Sequence, residues 1–159
     1  MLFRSPVVAL ATRVPLERLD DAAVDRGRQV ELLRSIPIFS PLSPAVLEGL
    51  AARLEPVRVA AGEVIMRKGD PGDRFYIVAA GEVEVGIDGQ VQGTQGPGDH
   101  FGEIALLRDV PRTATVTART DAELYALERE DFLAAVTGHS ASAEAAEAVV
   151  GARLGISPV

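Results

Sequence analysis

The sequence predicts a mainly β protein with flanking helices, a roughly eight-stranded antiparallel jelly-roll barrel. Three observations carry that expectation. Between Val57 and Leu127, short apolar segments recur at regular spacing with glycine-rich turns between them. Glu82-Val83-Glu84-Val85-Gly86-Ile87 alternates with a period of two and runs into Asp88-Gly89, a tight hairpin signal. On both sides of this region the apolar spacing lengthens to that of helices.

In chain order, Met1 to Ala11 has a short apolar core broken by Pro6 and followed by Arg13, which argues against a targeting signal. Residues 1–31 are expected to be a linker and connecting helix, the helical pattern running from Pro15 to Arg34 with Leu16, Leu19, Val24, Val30 and Leu33 spaced along one face. Ile36 to Leu42, punctuated by Pro37 and Pro41, marks a boundary. Ser43 then fits an N-cap and Pro44 the first helical position, and Val46, Leu47, Leu50, Ala51 and Leu54 share a face that Pro56 terminates. Strands are expected at Val57 to Ala60, Val64 to Met66, Phe75 to Val78, Val83 to Ile87 and Gln90 to Thr94. Two more follow at Thr113 to Ala118 and Ala122 to Leu127, before acids at Glu128, Glu130 and Asp131 open a helix. Residues 32–138 therefore form the folded domain, and 139–159 a C-terminal helix and tail in which Ala146, Val149, Val150 and Leu154 share a face.

Composition narrows the function classes. The chain has 159 residues, 47% hydrophobic and 25% charged, with no apolar run of the roughly 20 residues a membrane span needs. A net charge of −7 opposes a broad nucleic-acid-binding face, and the absence of cysteine removes thiol chemistry. The expected location is cytoplasmic, either stand-alone or as the cytosolic part of a membrane-associated protein. His100 and His139 are far apart, so no metal site is expected, and His100 reads as a surface residue. Gly96, Gly98 and Gly102 are spaced one residue too long for a dinucleotide fingerprint, and no G-x-S-x-G nucleophile turn occurs. Catalysis is not expected.

The chemistry concentrates in Phe101 to Val116, F-G-E-I-A-L-L-R-D-V-P-R-T-A-T-V. Gly102 stands where an extended segment meets a helical turn, so the unpaired backbone N–H groups of that first turn are free for an anion. Arg112, held by Pro111, offers a fork for two phosphate oxygens; Thr113 offers a hydroxyl and Glu103 an acceptor carboxylate. Each residue has an ordinary alternative: a dipole-matching Glu, a surface Arg, a turn Gly. Their order and spacing do not.

The segment resembles the phosphate-binding cassette of cyclic-nucleotide-binding domains, F-G-E-x-A-L followed after a short gap by P-R-x-A-x-V, and the resemblance extends over about Leu32 to Val136. It implies that Glu103 binds the ribose 2′-hydroxyl, Arg112 the cyclic phosphate, and the backbone around Gly102, Ile104 and Ala105 completes the cradle. It also implies Thr113 and Val85 as further contacts, and the helix over Ser142 to Leu154 as a lid. The implied ligand is cAMP or cGMP, with cAMP preferred, and no metal. Gln95 departs from the family, which has an apolar residue before the G-x-G-D turn. Partners implied are an effector domain or a second copy through the flanking helices, not nucleic acid. Leu32 to Phe39 resembles the segment leading into such domains on bacterial transporters and channels. The competing expectation is an interaction or structural domain that keeps the fold without the ligand, with Glu103 and Arg112 paired to each other.

Overall fold

Order along the chain follows the change in apolar period. The computed structural model describes residues 25–154. The expectations for the N-terminal segment and the first part of the connecting helix lie outside the described residues. Helix α1 is described over 25–34, and Val30 and Leu33 are buried against the domain core, so this part of the helix docks on the following domain. Helix α2, Pro44–Ala51, starts as expected: the Ser43 hydroxyl accepts from the Val46 N–H at 3.3 Å, with proline in the first turn.

The strands are β1 Glu55–Val59, β2 Val64–Met66, β3 Arg74–Ala80, β4 Val83–Ile87, β5 Gln90–Gln95, β6 His100–Phe101, β7 Thr115–Ala118 and β8 Ala122–Glu128. They form two four-stranded antiparallel sheets, β1-β8-β3-β6 and β2-β7-β4-β5. No ladder joins the sheets among the described residues, so the expected barrel is an open two-sheet roll. Pro56 lies inside β1 rather than merely stopping α2; β1 is an edge strand, the position in a sheet where proline is tolerated. Helix α3, Glu103–Arg108, interrupts the strands, and α4, Arg129–Thr137, and α5, Ser140–Arg153, close the described chain.

Strand β3 organises the layers because both its faces are covered. Phe75 and Ile77 face a helical layer that contains Leu33, Phe39, Leu47 and Phe132, while Tyr76 and Val78, with Phe101 of β6 in the same cluster, face Val83 and Val116 of the second sheet. That explains its continuous apolar run in place of alternation. Phe75 stacks on Phe132 at 4.7 Å between centroids, and Phe39 meets both edge-on. The expected hairpin at Asp88-Gly89 has both residues at positive φ, 51° and 83°, as a primed turn requires. Gly81 is needed for room: at φ 82°, an added Cβ would lie 2.3 Å from the Asp121 carbonyl oxygen.

Candidate functional site

All seven residues singled out in the sequence line one cavity of about 290 Å³: Val85, Gly102, Glu103, Ile104, Ala105, Arg112 and Thr113. Val85 comes from β4, where it faces Gly93 on one side and Val116 on the other. Gly102 adopts φ 98°, ψ −4°, at the start of α3. A Cβ there would lie 2.9 Å from Arg112 Nη1 and 3.0 Å from the Arg74 carbonyl oxygen, so only glycine lets the guanidinium approach the cassette backbone.

Arg112 is held before any ligand is considered. Its N–H donates to the Asp70 carbonyl at 2.7 Å, and its own carbonyl accepts from the Gly69 N–H at 2.8 Å. The side chain is buried, with the residue 3% exposed. Nη1–H donates to the Gly102 carbonyl at 3.1 Å, and Nη2 donates to the Arg74 carbonyl at 2.7 Å and to Asp73 Oδ1 at 3.2 Å. Two acceptors are neutral, and the third belongs to a carboxylate side chain that is 74% exposed and well solvated. The buried cation is thus positioned more than it is neutralised, which favours an anion beside it. Three of its five N–H donors are used by these bonds.

Glu103 does not pair with Arg112. Its side chain is 1% exposed; Oε1 accepts from His100 Nδ1–H at 3.0 Å, and Arg153 Nη1 lies 2.9 Å from both oxygens. Burial pushes the carboxyl pKa up, but the His100 hydrogen bond and the Arg153 charge outweigh it and hold the group below its ordinary 4.5. An ionised carboxylate only accepts, so the proton sits on His100 Nδ1. His100 is therefore not the surface residue expected from sequence: it is 6% exposed, packed on Phe75 at 5.4 Å, and orients Glu103. Sequence does not mark its burial, because its partner Glu103 is reached across the turn from β6 into α3.

Arg153 was also missed. It ends α5, lines the cavity, and reaches the cassette from a helix whose expected shared face was Ala146, Val149, Val150 and Leu154. A second ion pair, Arg108 to Glu147 at 2.8 Å, ties α3 to α5 on the exposed side. Met66, Ile87 and Phe101 add apolar lining, and Gln95 adds an amide. Among the described residues, no group of three His, Cys, Asp or Glu is placed to hold a metal ion. No helix among them is long and apolar enough to cross a membrane.

The structure is thus a two-sheet roll interrupted by a short helix, with a buried arginine and a buried glutamate lining one cavity beside it. The chain belongs to the cyclic nucleotide-binding domain family, whose model matches residues 56–139. It is 43% identical over 108 residues to a cyclic nucleotide-gated potassium channel of Mesorhizobium japonicum, covering 68% of this chain and 30% of the channel. It is 39% identical over 117 residues to a cAMP-dependent protein kinase regulatory subunit of Emericella nidulans, covering 72% of this chain and 28% of that subunit. Among solved structures, it is similar to the regulatory domain of Toxoplasma gondii protein kinase A with cAMP, at TM-score 0.72 and 27% identity over 82% of this chain and 51% of that one. The chain thus spans less than a third of the length of these curated relatives.

Proposed function

We propose that this chain is a regulatory module that binds a cyclic purine nucleotide, cAMP in preference to cGMP, in the cavity between the second sheet and α3. The observation that carries the reading is Arg112: a buried guanidinium fixed at both backbone and side chain, facing the cavity, and met only by carbonyls and one solvated carboxylate. In this reading the cyclic phosphate takes the remaining Arg112 donors and the backbone N–H groups around Gly102 and Ala105. The ribose 2′-hydroxyl donates to Glu103. The base lies against Val85, with Thr113 beside the phosphate.

Glu103 is then the junction between ligand and output. The carboxylate that receives the sugar is the one that holds Arg153, so nucleotide occupancy and the position of α5 are thermodynamically linked. Through α5 and α1 the module signals to an effector domain or a second copy, on the cytoplasmic side, and carries out no catalysis itself. The test is thermal melting with and without nucleotide. Millimolar cAMP raises the melting temperature of the wild type and leaves Arg112→Ala unmoved.

The alternative, a domain that keeps the fold for interaction alone, is favoured by one observation: Glu103 already has His100 and Arg153 as partners. It predicts no shift with any cyclic nucleotide.

A further inference from the structure

Beside the cavity, one buried side-chain oxygen has no hydrogen-bond partner among the described residues. It is Oε1 of Gln95, a residue that lines the cavity. Such an acceptor carries the desolvation cost of burial with no bond to offset it, and a native structure tolerates that chiefly where a donor arrives from elsewhere. We infer that Gln95 is a specificity-determining residue, whose side-chain amide reads the edge of the nucleobase and selects adenine through its 6-amino group. This rests on the reading of the cavity as a cyclic-nucleotide site.

Register places the amide at the base end. Gln95 stands directly opposite Val83, which faces Ala118 on its other side, while Gly93, Val85 and Val116 form the next inward row. Val83 is fully buried between the sheets, and directly opposed residues share a face, so Gln95 points inward. Arg112 to Ala114 lead into β7 beyond the Val116 row, so the Gln95 row lies about 7 Å further from the phosphate end than the Val85 row. At Gly93 the sheet surface carries no side chain, and an added Cβ would meet nothing within 4 Å, which leaves space in front of Gln95.

The donor follows by elimination. Adenosine cyclic monophosphate has two hydrogen-bond donors, the 2′-hydroxyl and the 6-amino group. Glu103 takes the first, so a bond to Gln95 Oε1 comes from the amine. The amide is also complementary to what lies beside that amine: its Nε2–H donates to a ring nitrogen while Oε1 accepts, the paired contact glutamine makes with adenine. Guanine presents two adjacent acceptors on its N7 and O6 edge and cannot satisfy Oε1 there; its N1–H and 2-amino donors lie beyond O6, so selection against it requires that the N7 side of the base meet the amide.

The test is calorimetric titration of the full chain with cAMP, with the analogue carrying hydrogen in place of the 6-amino group, and with cGMP. The wild type is expected to bind cAMP roughly five- to tenfold more tightly than the deamino analogue. In Gln95→Leu that ratio falls to about one, because cAMP binding weakens while binding of the analogue does not. Wild type that binds both adenine-type ligands equally, a ratio unchanged in Gln95→Leu, or tighter binding of cGMP than of cAMP overturns the assignment of Gln95. In those cases a loss of all binding in Arg112→Ala still upholds the cyclic-nucleotide site. Wild type that binds none of the three overturns both.

Discussion

Replacing Arg153 with methionine keeps an apolar stem along α5 and removes the charge from Glu103. The carboxylate is then buried with His100 as its one remaining side-chain partner. Hydrogen bonds to charged groups contribute about 1.5–3 kcal/mol, but one Nη1 serves both oxygens and the Arg153 side chain is 32% exposed, so solvent screening applies. The expected loss at neutral pH is about 1–2 kcal/mol, on the order of 3–8 °C in melting temperature for a domain of this size. The pH dependence adds a signature. Glu103 has a folded pKa below its ordinary 4.5, so its ionisation contributes stability that is present above 4.5 and is lost as pH falls through the folded value. The Arg153 charge is one cause of that lowering, so the gap between wild type and Arg153→Met is widest at neutral pH and closes in acid as Glu103 protonates. Thermal melts from pH 7 downward measure both effects. Equal melting temperatures at pH 7, or a gap that persists unchanged after acidification, would refute the Glu103–Arg153 latch.

Gly102→Ala places a Cβ 2.9 Å from Arg112 Nη1 in a backbone at φ 98°, so it is expected to cost roughly 1–3 kcal/mol and to weaken nucleotide binding at least tenfold, read by denaturant unfolding and calorimetry. Gly81→Ala meets the Asp121 carbonyl at 2.3 Å, remote from the cavity; stability drops by roughly 1–3 kcal/mol while the protein that remains folded binds nucleotide as the wild type does. A Gly81→Ala variant with intact stability would show that the turn yields to the added methyl.

What sequence disclosed, and what it hid, divides by range of interaction. Local rules worked: the Ser43 cap, the Asp88-Gly89 hairpin and the alternation of β4 are each decided within a few residues. The cassette was legible for the same reason, since Phe101 to Val116 carries its glycine, acid and arginine within one stretch. Strand β6 spans only His100–Phe101, too short for any period, and emerges only from its pairing with β3. The open edge between the sheets is likewise a tertiary fact. Arg153 contacts Glu103 from 50 residues away, and nothing local distinguishes it from a solvated helix-terminal arginine. Gln95 showed only as a polar residue where the resembled family has an apolar one; its unsatisfied oxygen became visible once its row between the sheets was fixed.

The phosphate-gripping role of Arg112 is measured by calorimetric titration of cAMP into wild type, Arg112→Lys and Arg112→Ala. Lysine keeps the positive charge and gives up the planar fork, so it separates phosphate gripping from simple charge. A phosphate-gripping Arg112 gives stoichiometric binding to wild type, a loss of roughly a hundredfold or more in Arg112→Ala from the missing charge-assisted bonds, and an intermediate loss in Arg112→Lys. Binding of cAMP to folded Arg112→Ala at wild-type affinity would contradict it.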